Sequence, residues 1–441
     1  MNTSLHASQS YRHISALSLG IWGIVIGYVI YQFILRVSLG VMAPGLMERF
    51  VINATEFSLL GSVFYFGYAT MQIPVGVLLD YLGPKKTIPM FVILCVSGFC
   101  LFTFSENWTL VLIGRLLTGI GSAGAFISSL KVTHLLFSDQ IFKVMVGITS
   151  ALGLIGAVCG GLVGYLLEFL SLTAVLQGLS GIGIFLIILV VTSFSLKRTT
   201  ALLSITEKDH SDRQEKESIL TGIIALCKKP SLLFLMISVG LIAMSLYTFA
   251  DSWGPSFLIQ IHHLSMTQAS TAIYLIYIGM VIGSACLSFV ANRFNASPYL
   301  ISTCGLILAG ILITLLTCEI PYPLILGLMV IFGVCSSQQI LFFGVILSLV
   351  PKKFGGVTTG VTNMLIMLLG SGSISLAGLL MDLADQPTLL DNGVSLYSKS
   401  SYLLAFGTIA VLVIGGVVLF SSISFFLHIK RKKEESLLLI S

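Results

Sequence analysis

The chain has 441 residues, 56% of them hydrophobic and 9% charged, with a formal net charge of +5. Soluble domains carry about 25% charged residues, so a soluble enzyme or nucleic-acid-binding module is excluded and an integral membrane protein is indicated. A spanning helix needs about 20 apolar residues plus a connection, so this length holds about twelve spans. Long apolar runs, rather than short alternating segments, predict helices, because a bilayer offers no partner to an unpaired backbone group.

The first apolar run begins near Ile14, after Arg12 and His13, and extends well past the length of a signal-peptide core. It is read as a retained first span. Apolar segments run near 14–46, 57–82, 87–104, 108–137, 145–167 and 172–196, and resume near 231–260, 267–291, 298–318, 322–350, 356–383 and 401–428. The stretch between the two sets includes the mixed-charge run Glu207–Glu217, which reads as a solvated loop with a short surface helix. The expected organisation is therefore a six-helix bundle over 1–196, a cytoplasmic linker over 197–230, a second bundle over 231–428 and a basic tail over 429–441. With both termini placed in the cytoplasm, 18 of the 23 Lys and Arg lie inside and only Arg49 and Lys399 outside, which fixes the expected topology.

The eight cysteines show neither a C-x-x-C nor a zinc spacing, and all but Cys227 fall in apolar runs, where they read as core residues. No metal cluster, nucleophile–base pair or phosphate loop stands out, so neither a cofactor nor an enzyme activity is expected.

Four titratable side chains lie well inside predicted spans: Arg36, Arg115, Lys131 and Asp251. A charge at mid-bilayer costs at least about 2.5–3.5 kcal/mol, so each needs a wet cavity, a partner or a substrate. Arg36 has Gln32 and Tyr28 one and two turns before it, which makes a polar stripe facing the bundle interior. Arg115 stands early in the inward-running fourth span, at a depth similar to Arg36. Lys131 lies roughly 24 Å further along that helix and about 160° around it, so it is expected to snorkel toward the cytoplasmic surface. Asp251 is the only carboxylate deep in a span, with Tyr247 one turn before it. In the second half Gln338, Gln339 and Asn363 sit where a cavity lining is expected, although buried amides also serve as interhelical glue.

The two halves echo each other. Gly76-Val-Leu-Leu-Asp80-Tyr-Leu-Gly83-Pro-Lys85-Lys86 follows span two, and Ser288-Phe-Val-Ala-Asn292-Arg293 follows span eight, with Asn292 standing 212 residues after Asp80. A weak copy at that spacing fits a transporter built from two six-span repeats. Asp251 follows Arg36 by 215 residues, so the two occupy corresponding levels of spans one and seven. Either a static ion pair or a substrate-bridged, proton-sensitive pair would suit them.

The Gly76–Lys86 segment resembles the G-x-x-x-D-x-x-G-x-[RK]-[RK] signature of the major facilitator superfamily, and the span count, linker and degraded second copy extend the resemblance over the whole chain. The resemblance implies an all-α fold of twelve transmembrane helices in two six-helix bundles, with cytoplasmic termini and a central cavity served by alternating access. It also implies gating roles for Gly76, Asp80, Gly83, Lys85 and Lys86, with Asp80 docking at the helix start near Gly355-Gly356. Arg36 with Pro44, then Gln72-Ile-Pro-Val-Gly76, resembles the organic anion symporters of that superfamily more narrowly. In that branch a span-one and a span-four arginine hold the substrate carboxylate, matching Arg36 and Arg115.

Two positions depart from the branch. Leu35 stands where an acid often precedes the span-one arginine, and Ser122 stands where a proton-carrying carboxylate is usual, which leaves Asp251 for coupling. The expected solute is small and anionic or zwitterionic: an organic anion, an amino acid or a dipeptide. Arg36, Arg115, Gln32, Tyr28, Tyr247, Gln338, Gln339 and Asn363 are its expected contacts. A cation or drug exporter, or an uncoupled facilitator, is the alternative, although Gly156–Gly161 lacks the proline of the drug-antiporter signature. The chain is expected to be a multi-pass monomer of the plasma (inner) membrane, with the lipid bilayer as its surroundings and no nucleic-acid partner.

Overall fold

With no water to satisfy N–H and C=O groups, an apolar chain in a bilayer must satisfy them within its own helices. The computed structural model describes residues 15–196, 199, 219–294, 296–385, 388–389 and 395–438, and nearly all of them are helical. The mixed-charge run Glu207–Glu217 and the end of the tail, Leu439–Ser441, lie outside the described residues.

The helices in chain order are α1 (Ala16–Val41), α2 (Ala43–Phe50), α3 (Ala54–Thr70), α4 (Gln72–Leu82), α5 (Pro84–Phe104), α6 (Trp108–Leu136), α7 (Asp139–Leu166) and α8 (Leu172–Ser195). They continue with α9 (Ile219–Cys227), α10 (Pro230–Ser245), a π-helical segment (Leu246–Trp253), α11 (Gly254–Ile261), α12 (Met266–Phe294), α13 (Ser297–Thr317), α14 (Tyr322–Ser336), α15 (Gln338–Ser348), α16 (Gly355–Ala384) and α17 (Lys399–Leu438). Between the last two, Thr388–Leu389 pairs antiparallel with Ser395–Leu396.

Among the described residues, eleven helical stretches are long and apolar enough to cross a membrane. Helix α3 is followed by α4 with only Met71 between them, and the Met71 backbone is in the right-handed helical region (φ −90°, ψ −4°). Helix α2 bends by 115° from α3, and the two taken as one broken span bring the count to twelve. Eleven to twelve apolar spans agree with the expected fold.

By packing, the described residues fall into two compact units, one comprising residues up to Ser38 with 63–216, the other 39–62 with 217–441. The first unit is built on α5 against α6 and α8. In the second, α12 lies along α14, while α10 and α13 both pack on α17. The segment 39–62, formed by the ends of α1 and α3 with α2 between them, belongs to this second unit.

Small residues allow the closest approach. A Cβ on Gly283 of α12 would lie 2.6 Å from the Val334 Cα of α14, and one on Gly333 would overlap the Ile276 carbonyl oxygen. Gly279 and Gly283 are four apart, the spacing at which backbones can meet without side chains between them. Replacing Gly333 by Val should therefore destabilise the purified protein by about 1–3 kcal/mol. The check is a lowered melting temperature in detergent, with Gly327→Val unchanged as the control, because nothing lies within 4 Å of a Cβ at Gly327.

Candidate functional site

In the first unit the two deep arginines converge on one pair of adjacent aromatic residues. Arg115 of α6 is 1% exposed. Its guanidinium carbon lies 4.9 Å from the Phe64 ring centroid and 5.5 Å from that of Phe102. Its Nη1 donates to the Leu35 carbonyl at 3.4 Å, one residue before Arg36. The Arg36 guanidinium carbon lies 5.2 Å from the Tyr65 ring centroid and 5.5 Å from that of Phe33, and the residue is only half-buried. Aromatic faces attract a desolvated cation by about 2 kcal/mol. They compensate part of the burial cost.

The polar stripe of α1 divides in use. The Tyr28 hydroxyl donates to the Gly121 carbonyl of α6 and Tyr31 donates to the Leu179 carbonyl of α8 at 3.1 Å, so these two phenols tie α1 to its neighbours. Gln32 is buried, and its Oε1 has no hydrogen-bond partner among the described residues.

The signature segment is folded as its residues demand. Gly83 joins α4 to α5 with φ 72° and ψ 163°, a backbone region that glycine alone enters readily. Gly76 has open space around its Cα, and Lys85 and Lys86 are exposed. Asp80 is paired with Lys131 of α6 at 2.8 Å. Lys131 therefore reaches the cytoplasmic end of its helix, as its position suggests, but it finds a carboxylate there.

The second unit holds Asp251 inside the π-helical segment. Pro255 lacks an N–H, so the Asp251 carbonyl four residues earlier cannot be bonded in the α-helical way. The ladder widens instead, with the Gly254 N–H bonded to the Phe249 carbonyl five residues back. Single π turns of this kind concentrate at functional sites. Asp251 is 2% exposed, and the Tyr277 hydroxyl of α12 donates to its Oδ1. Tyr247 is buried with its ring against Gly370 of α16, and Thr248 donates to Ser373 Oγ at 2.8 Å.

Gln338, at the break between α14 and α15, is fully buried with neither end of its amide hydrogen-bonded among the described residues. Gln339 Nε2 is also without a partner, and Asn363 is half-buried on α16. Arg36 and Arg115 are thus brought together, as are Asp80 and Lys131, whereas Arg36 and Asp251 belong to different units. The sequence reasoning missed Tyr277, the aromatic partners Phe33, Phe64, Tyr65 and Phe102, and the helix break that Gly254-Pro255 marks after Asp251.

Eleven to twelve apolar spans among the described residues, with compensated charges and unpartnered amides held inside them, point to the class of polytopic transporters. The Major Facilitator Superfamily model matches residues 24–375, and the chain belongs to that family. It is 32% identical over 111 residues to the uncharacterized transporter YybO of Bacillus subtilis (strain 168), covering 25% of this chain and 26% of that one. It is 32% identical over 94 residues to the probable sulfoacetate transporter SauU of Cupriavidus necator, covering 21% and 22%. A third relative, the efflux pump mlcE of Penicillium citrinum, is 27% identical over 165 residues, covering 37% and 30%. The chain thus spans about a quarter of the length of the first two curated relatives it matches. Among solved structures, the nucleoside transporter NupG superposes with TM-score 0.70 at 16% identity, covering 92% of this chain and 99% of that one. A bacterial homolog of the human lysosomal transporter Spinster gives 0.63 at 17%, covering 95% and 97%. At such identities these structures speak for the fold.

Replacing Tyr277 by Phe removes a donor from a buried carboxylate, at a cost of about 1–3 kcal/mol. The variant should melt lower than the parent, and adding Asp251→Asn should recover part of the loss. A double-mutant cycle on melting temperatures reads the coupling.

Proposed function

We propose that the chain is a secondary active transporter that takes up a small carboxylate-bearing solute by alternating access. Arg36 carries the reading. It is the deep cation that is only half-buried, its guanidinium lies over two flat aromatic faces, and a guanidinium matches a carboxylate in bidentate geometry. Arg115 stands behind it and fixes the α1 backbone at Leu35, which makes it a positioning residue that also adds positive potential. Gln32, with its unused Oε1, offers a neighbouring polar contact one turn away. In the second unit, Tyr247, Gln338, Gln339 and Asn363 are the residues proposed for solute contact. The match to a probable sulfoacetate transporter supports an anionic cargo, although it covers about a fifth of the chain.

Asp251 is the proposed proton site. It is a buried acid on a π turn, where a change of hydrogen-bond register and a change of charge can be linked. Gly76, Asp80, Gly83, Lys85 and Lys86 are assigned to gating. Export of a drug or cation is the second reading, favoured by the match to an efflux pump and by Asp251 as a buried anion.

Thermal shift on the purified protein tests the choice. Organic acids, amino acids and dipeptides should raise the melting temperature of the parent and of Asp251→Asn, but not of Arg36→Ala, with Arg36→Lys retaining a weak response. Stabilisation by lipophilic cations alone, unaffected by Arg36→Ala, would favour export. In liposomes, a pH gradient should drive uptake by the parent and lose its effect in Asp251→Asn.

A further inference from the structure

Beyond the solute site, the second unit contains a buried polar cluster at the end that the Lys and Arg distribution assigns to the outside. Helix α3 begins at Ala54, and its first N–H groups have no acceptor within the helix. Asp382, near the end of α16, supplies one. Its Oδ2 accepts from the Thr55 N–H at 2.8 Å and its Oδ1 from the Ala54 N–H at 3.3 Å. Tyr397 closes the group, since its hydroxyl donates to Asp382 Oδ1 at 2.7 Å and accepts from the Ala54 N–H at 2.7 Å. Tyr397 is itself tethered, because its N–H donates to Gln260 Oε1 at 3.0 Å.

One layer deeper, the contacts pass to the π-helical segment. Trp253 ends that segment, packs edge-on against Phe57 at 4.9 Å and donates through Nε1 to Ser58 Oγ at 3.0 Å. Gly378 of α16 faces the same turn of α3, and a Cβ there would overlap the Ala54 carbonyl oxygen and Ser58 Oγ. Ser371 Oγ donates to the Ser62 carbonyl at 2.8 Å, so the seam runs two turns further inward.

We propose that Asp382 and Tyr397 form a latch that holds the outer end of α3 onto the outer end of α16, and that Trp253 connects this latch to the π segment bearing Asp251. An anionic acceptor at a helix start combines charge-assisted hydrogen bonds with the positive end of the helix dipole. It also depends on geometry: when α3 tilts away from α16, the three contacts made by the Ala54 and Thr55 N–H groups are lost together. Burial and the bond to the Asp382 carboxylate both push the Tyr397 phenol up, so it stays a donor throughout the physiological range. Because Trp253 is on the segment whose register surrounds Asp251, a rearrangement of that segment also moves the Ser58 contact.

The latch rests on the alternating-access part of the reading above but on no particular solute. Its test therefore uses labelling without substrate. In a cysteine-free chain carrying Ser371→Cys, whole cells are treated with a membrane-impermeant maleimide. Losing charge-assisted contacts at one end of a two-state balance shifts it by roughly tenfold. Asp382→Ala should raise the labelling rate by about that factor, Asp382→Asn less, and Tyr397→Phe less again. Gly378→Val, which leaves every latch residue in place and wedges the seam, should match Asp382→Ala. Conversely, a disulfide between Thr55→Cys and Asp382→Cys should stop uptake until a reductant is added. Melting temperature and elution profile establish that each variant is folded. Labelling unchanged in folded Asp382→Ala and Gly378→Val would overturn the latch, as would full uptake with the disulfide closed. Failure of carboxylates to bind would overturn the solute assignment and leave the latch standing.

Discussion

Two guanidinium groups in one helical unit, one buried and one half-buried, constrain the residues around them. Arg115 is 1% exposed, so water compensates almost none of its charge. Two aromatic faces and the Leu35 carbonyl lie against it. Phe64 and Tyr65 are consecutive on α3, and each gives its ring to a different arginine. The position of α3 therefore sets both cations at once. Its placement also has an outer consequence, because the start of the same helix is held at Asp382.

The π-helical segment plays the matching part in the second unit. Pro255 favours it, since an α-helical ladder there would lose a bond and meet the proline ring. Eight residues then carry both the buried acid, Asp251, and the aromatic residue that reaches α3, Trp253. Tyr277 fixes the acid from α12 while Tyr247 packs against Gly370 of α16. A segment with weaker ladder geometry, anchored by side chains on both sides, is a place where two arrangements can lie close in energy.

How much of this was legible in the sequence follows from the range of each interaction. Twelve spans could be read because each apolar run is local, and the similar depth of Arg36 and Arg115 follows from helix rise alone. The Met71 break in the second span carries no such signal, since methionine is a good helix former. The aromatic faces around the arginines were invisible because Phe and Tyr in an apolar run look like any other core residue. Lys131 was read as snorkelling to water, and its depth was right, but its partner Asp80 lies 51 residues away on another helix. Tyr277 stands 26 residues beyond Asp251 with no pattern to join them. Gly254-Pro255 was the one available mark of the π segment, and it points to Asp251 only through the rule that proline disturbs the carbonyl four residues back. Asp382 carries no sequence signal, because its donors are backbone N–H groups of α3, more than 300 residues earlier.

The two carboxylates at the opposite ends of these helices are held by unlike forces, and the difference has a functional sense. Asp80 is 59% exposed and its partner Lys131 is 28% exposed, so water screens their attraction, and such pairs contribute about 0–1 kcal/mol. An acid held so weakly can exchange partners during a conformational cycle at little cost. Asp382 is half-buried and accepts from two backbone N–H groups and a phenol. Hydrogen bonds to a charged group contribute about 1.5–3 kcal/mol each, so the outer contact is the stronger one. Under the alternating access proposed above, neither end can dominate outright. The strength at Asp382 has to be offset elsewhere, and the π register around Asp251, joined to the same seam through Trp253, is where the second unit can hold a second arrangement of similar energy.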